Sequence, residues 1–282
     1  MKTIPKGLVI VALLSGPVAA NAQTAIQSGT SALVTFRNCV AGVTACDSIG
    51  TIQSEQFGGN PGDLSASASE TYANYGSAAT SVALSGVDGA PILHAIASSD
   101  TGARVNTNSI ALQLYTYTGA VATTDTFGGT LTYSQTLTAN NYPVGAGVSA
   151  SIQVFTLPTS SFNAGVTSQD NYSALFDPST QPGYALLGSA TYTDPNTNLS
   201  GTGMVGVPIK LQPGESVFVW ALLLTPAPNG SVVDASDTFV TQWADSTNLT
   251  PADVAPVPLP AAAWLLMSGL GGLLVLGCKR TA

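Results

Sequence analysis

Charged residues make up only 8% of this 282-residue chain, against roughly 25% in an average soluble protein. Basic residues are the scarcest. Of seven Lys and Arg, four (Lys2, Lys6, Lys279 and Arg280) stand at the two ends. Between residues 23 and 256 only Arg37, Arg104 and Lys210 remain against all fifteen acidic residues, a net charge near −12. A basic footprint for nucleic acid or anionic lipid is therefore missing, and no nucleic-acid partner is expected. The acids are scattered singly, which reads as a solubility device rather than an interaction tail.

Histidine is almost absent too. The single one, His94 in ILHAIAS, cannot build a multi-histidine metal site or an extended triad, and reads as a structural or surface residue. The Asp and Glu residues make a glycosidase pair only if folding brings two carboxylates within about 5–10 Å, and no local spacing singles out such a pair. The segment beginning at Asp194, DPNTNLSGTG, opens like a calcium loop. It has Leu199 and Val205 where that loop needs Gly and Glu, so it reads as a polar turn, the alternative being a structural calcium ion held by Asp194, Asn196 and Asn198. No metal or cofactor is expected.

Cysteine is limited to three residues. Cys39 and Cys46, with six residues between them, suit a short loop-closing disulfide in an oxidising compartment. Two free thiols or half of a metal site are the alternatives, but no further Cys or His sits nearby to complete a site. Cys278, inside an apolar run, reads as packing filler.

Helical periodicity is nearly missing between residues 23 and 250, while two-residue alternation recurs. In SIALQLYTYTG, Ile110, Leu112 and Leu114 fall on one face, with Gln113, Tyr115 and Tyr117 on the other. In GVSASIQVFTL, Val148, Ala150, Ile152 and Val154 alternate with Ser149, Ser151 and Gln153. Both patterns predict half-buried strands with one wet face. ESVFVWALLLT (Glu215–Thr225) is apolar on both faces, as a covered central strand is, and follows a Pro213-Gly214 turn of type II. Further strands are expected at Ser31–Phe36, Pro91–Ser98, Gly129–Leu137, Tyr184–Thr193, Met204–Leu211 and Ser231–Trp243. The Ser/Ala-rich DLSASASETYANYGSAATS reads as strand or extended loop anchored by Tyr72 and Tyr75, and Thr247–Pro256 reads as a linker. Many short strands with frequent turn signals predict an all-β, antiparallel β-sandwich of jelly-roll type over residues 23–250.

The two ends differ from this middle. At the front, Lys2 and Lys6 precede an apolar stretch, Gly7–Leu14, that closes on Ala20-Asn21-Ala22. This is the pattern of a secretory signal, residues 1–22, cut after Ala22. At the back, Ala261–Cys278 is an apolar run of eighteen residues, about 27 Å long as a helix, enough to cross most of a bilayer core. Lys279 and Arg280 then stay cytoplasmic, giving a single-pass membrane intermediate.

Just outside that run stand Val257, Pro258, Leu259, Pro260 and Ala261. The whole stretch VPLPAAAWLLMSGLGGLLVLGCKR resembles the VPLPA variant of the PEP-CTERM sorting signal of Gram-negative bacteria: a Pro motif, a Gly-containing helix and a basic cluster, in that order. The division expected is a Pro-rich linker and sorting motif over 251–260 and a transmembrane helix with basic tail over 261–282. The resemblance implies an exosortase-type processing enzyme as partner and a final place at the cell surface or outside it, in company with exopolysaccharide. It carries no catalytic residues. The function expected is a non-enzymatic structural or glycan-associated role in an extracellular matrix or biofilm; the alternative is a secreted glycan hydrolase working through carboxylates.

Overall fold

A computed structural model of the chain describes residues 28–39, 46–57, 64–136, 147–158, 177–195 and 200–252. Thirteen strands run through them: β1 Ser28–Asn38, β2 Asp47–Phe57, β3 Ser65–Tyr72, β4 Gly76–Ala83, β5 Ile92–Ser99, β6 Ala103–Tyr117 and β7 Thr123–Thr136. After them come β8 Gly147–Thr156, β9 Ala185–Pro195, β10 Ser200–Leu211, β11 Ser216–Pro228, β12 Val232–Trp243 and β13 Leu249–Pro251. The only helical pieces among the described residues are two 3-10 turns of three residues each.

The strands form two antiparallel sheets packed together, so the expected all-β sandwich is what the chain builds. One sheet has the order β2-β1-β6-β11-β8-β9, with β13 paired to the end of β6; the other has the order β10-β7-β12-β5-β4-β3. Between them lies a core that includes Phe36, Tyr115, Phe127, Leu131, Ile152 and Phe239. Trp243 closes one end of it, with ring centroids 5.1 Å from Phe127 and 5.9 Å from Tyr115.

Strand β8 follows its sequence: Val148, Ala150, Ile152 and Val154 enter the core while Ser149, Ser151 and Gln153 stay half-buried on the other face. Strand β11 is buried on both faces along most of its length. Strand β6 corrects the expectation of one wet face. Its polar-looking side, with Gln113, Tyr115 and Tyr117, points into the inter-sheet core. Ile110, Leu112 and Leu114 are buried on the opposite side, in a second apolar cluster with Phe155, Phe218 and Trp220. The physical reason is position: β6 lies between β1 and β11 with both faces covered, so alternation no longer separates core from solvent.

The turn at Pro213-Gly214 has the geometry read for it, with Gly214 at φ 77° and Glu215 N donating to Gln212 O at 3.0 Å. The Ser/Ala-rich segment is the hairpin β3–β4, and Tyr72 packs on Phe36 at 4.7 Å between centroids. Part of the expected linker belongs to the body. Leu249 is buried, β13 pairs with Tyr115–Tyr117, and Ala252 N donates to Leu114 O at 2.8 Å. No helix among the described residues is long and apolar enough to cross a membrane. The signal segment 1–22, with Ala20 and Ala22, lies outside the described residues, as do Val257, Pro258, Leu259, Pro260, Ala261, Lys279 and Arg280.

Candidate functional site

Cys39 and Cys46 are joined in a disulfide, with Cα atoms 4.5 Å apart. It closes the connection from β1 to β2, and Cys39 N donates to Gly102 O at 2.9 Å, tying that connection to the β5–β6 turn.

His94 sits on β5, on the outer face of the second sheet. Its Nδ1 lies 2.7 Å from the carbonyl oxygen of Ser236. A carbonyl only accepts, so Nδ1 carries a proton and donates it. The backbone carbonyl of His94 in turn accepts from Thr80 Oγ1 at 3.0 Å and Ser109 Oγ at 2.9 Å, a link between the two sheets. A lone histidine bonded in this way is a structural pin.

That pin stands beside a groove. The β5–β12 register shifts between Ala235 and Phe239, and Thr238 takes φ 108°. This irregularity raises Ser236, held by Asp234 Oδ1 through its N–H at 2.8 Å and its hydroxyl at 2.5 Å, above the sheet. Ser67, Ser69, Ala79, Ser81 and Ile96 form the floor of a depression of about 370 Å³ with His94 and Ser236 on its wall. It continues into a second depression of about 460 Å³ that reaches Glu70, Thr71 and Ser77. Short side chains on three adjacent strands make the floor low, and their hydroxyls make it a donor and acceptor surface. At the other end of the same sheet, Gly128, Thr130, Met204 and Gln242 line a smaller hollow of about 250 Å³.

The carboxylates are dispersed around the molecule. Among the described residues, Asp125 and Asp245 lie close enough for their charges to interact. Asp125 is buried, and its Oδ1 accepts the backbone N–H of Thr126 at 2.7 Å and of Asp245 at 3.2 Å. Its Oδ2 is buried with no partner. Burial pushes the Asp125 carboxyl up, offset in part by those two N–H bonds. The exposed Asp245 is held low by hydrogen bonds from Thr247. Asp125 thus acts as a staple between the start of β7 and the end of β12, and neither acid lines any of the three depressions. Asp194 accepts from the hydroxyl of Tyr133, which also lies 2.8 Å from the hydroxyl of Tyr192. Its partners in the calcium-like loop, Asn196 and Asn198, lie outside the described residues. Among the described residues, no three His, Cys, Asp or Glu gather as a metal site would need.

The groove had no sequence signal beyond an unusual density of Ser and Ala in β3 and β4. The Asp125 staple had none, since the partner it reaches across the fold is a backbone group 120 residues away in sequence. No family model matches this chain, and no curated protein is similar to it.

Proposed function

We propose that this protein is an exported, non-enzymatic β-sandwich, held briefly at the membrane by a C-terminal helix and processed at its VPLPA motif by an exosortase-type enzyme. The mature body then joins the cell surface or extracellular matrix, where it contacts exopolysaccharide. The observation that carries the reading is the order of Val257–Ala261, the apolar run Ala261–Cys278 and Lys279-Arg280. A signal-like segment at residues 1–22 and a disulfide between Cys39 and Cys46 support an oxidising destination.

The strand order supports reading the sandwich as a jelly roll. Eight consecutive strands give the orders β5-β12-β7-β10 and β6-β11-β8-β9, the pattern of a ribbon folded into two Greek keys. The hairpins β1–β2 and β3–β4 widen the two sheets at one side.

Glycan contact is supported by the hydroxyl-floored groove beside His94, whose shape and donor set suit a multiply hydroxylated ligand. Among the described residues, the hydrolase reading draws on the Asp125–Asp245 pair, and the backbone hydrogen bonds to Asp125 give that residue a structural task.

The processing step is tested by replacing Pro258 and Pro260 with Ala. Proline has no backbone N–H and disfavours helix at the residue before it, so Ala at both positions would remove the feature that sets this motif apart from the apolar run. We expect the variant to persist as full-length, membrane-associated protein; release at the normal rate would count against recognition of the motif. Retention of the exported protein by the producer's own exopolysaccharide tests glycan contact, and no binding at millimolar sugar would remove it.

A further inference from the structure

Two of the three basic residues between positions 23 and 256 are cross-strand partners: Arg37 of β1 stands opposite Arg104 of β6. Like charges directly opposite each other on antiparallel strands are destabilising. In a segment with fifteen acids, placing one beside them would remove the penalty. Instead, among the described residues, neither guanidinium forms an ion pair with a carboxylate.

The local geometry holds this pair in a defined form. The next register position along the same face is Thr35 opposite Asn106. Asn106 Oδ1 accepts from Arg104 Nε at 2.9 Å, and Asn106 Nδ2 donates to Thr35 Oγ1 at 3.4 Å. Arg104 is half-buried and fixed through Nε, which leaves the N–H groups of its two terminal nitrogens for another acceptor; Arg37 is exposed. Burial and the Arg37 charge both push the Arg104 guanidinium down from its usual range, the opposite of what a satisfied cation shows.

The surface beyond the pair is mixed, with Asn108, Leu224 and Pro226 half-buried. It lies on the outer face of the first sheet and runs up to the Ile110–Trp220 cluster, against which Leu224 packs. Leu224 and Pro226 project from β11. Past them the hydroxyl pairs Ser149–Thr193 at 3.2 Å and Ser151–Thr191 at 3.0 Å continue to β9. Five interstrand steps separate β2 from β9, about 24 Å of sheet at about 4.8 Å per step.

We propose that Arg37 and Arg104 form a two-guanidinium clamp for the carboxylate of an acidic polysaccharide lying across this face. Two planar forks at one register position match a carboxylate's two oxygens, and the hydroxyl, amide and aliphatic surface beyond suits the rest of a sugar chain. A net charge near −12 on the same segment repels a dense polyanion such as nucleic acid. A chain with one carboxylate per sugar unit meets less of that repulsion. The inference rests on the glycan reading above and names the class of glycan.

The test is binding of the purified exported protein to polygalacturonate, with dextran as the neutral polymer and polyphosphate as the alternative anion. We expect polygalacturonate to be retained, more weakly as salt is raised, and each of Arg37→Gln and Arg104→Gln to lower affinity by about ten-fold or more, as loss of a charge-assisted fork should. Arg37→Lys should recover only part, and Lys210→Gln should change nothing. Thermal unfolding checks that the variants fold; if Arg104→Gln does not, the exposed Arg37→Gln carries the test. Unchanged affinity in the Arg37→Gln/Arg104→Gln double variant overturns the clamp while leaving glycan contact standing. Polyphosphate bound as well as polygalacturonate overturns the choice of carboxylate, and no retention of polygalacturonate overturns the clamp outright.

Discussion

Two residues show how close the packing constraints run. Gly129 lies in β7 at a point where an added Cβ would sit 2.5 Å from Phe239 Cε2 and 3.1 Å from Thr241 Cγ2. Phe239 and Thr241 are fully buried, so neither has room to withdraw. Gly129→Ala should cost about 1–3 kcal/mol by overpacking, read as a lowered denaturation midpoint at constant slope. Asp125 makes a second prediction, about pH. Burial raises the carboxyls of Asp125 and Glu55 in the folded chain, so the folded state holds protons that the unfolded state releases. Stability from this source is complete below the ordinary carboxylate value of about 4 and is lost as pH rises through the folded values. Melting temperature should therefore climb as pH is lowered from 7 toward 4, and Asp125→Asn should flatten that climb. An identical slope in the variant would contradict it. These residues were not legible in the sequence: Gly129 looks like any glycine in a strand, and Asp125 like any acid. What distinguishes them is a neighbour more than a hundred positions away.

At the scale of elements, the sequence was readable where a strand has one wet face and misleading where it has none. Strand β8 alternates cleanly because its outer face stays partly open. In β6 the same rule assigned Tyr115 to solvent, yet Tyr115 is among the largest fully buried side chains. The edge strand β2, with the sequence DSIGTIQSEQF, was not foreseen because it is largely polar and partly or fully exposed throughout. The turns were more legible, since Pro213-Gly214 and the Cys39–Cys46 spacing fix backbone geometry locally. The disulfide closes a short loop and should stabilise the fold by about 2 kcal/mol on the chain-entropy model. Cys39→Ser with Cys46→Ser should lose that amount in denaturant unfolding; no loss would mean the loop is equally restricted without the bond. Strand β13 carries its own test. Limited proteolysis should leave the body intact through Ala252, and Leu249→Ala should cost about 2–4 kcal/mol by emptying a buried site.

For the whole molecule, the body and the tail make separate statements. The body is a sandwich whose surfaces offer hydroxyls, amides and two arginines at one register position, with no three acids gathered among the described residues. The tail has apolar length and a positive end, which suffice for a permanent anchor. On the reading proposed above, a permanent anchor would have no need of Val257-Pro258-Leu259-Pro260-Ala261 beside the apolar run, whereas a proline-bearing motif there is what a membrane protease would recognise. Gly269, Gly271 and Gly272 would also let a second helix approach closely. The central claim is therefore that the anchor is temporary. The most direct measurement is the intact mass of the protein recovered from the cell surface, in strains with and without the exosortase. We expect a product that begins at Gln23 and ends between Val257 and Ala261 when the enzyme is present, and one retaining the tail through Ala282 when it is absent. A full-length tail in both strains would contradict the account and leave an ordinary membrane anchor.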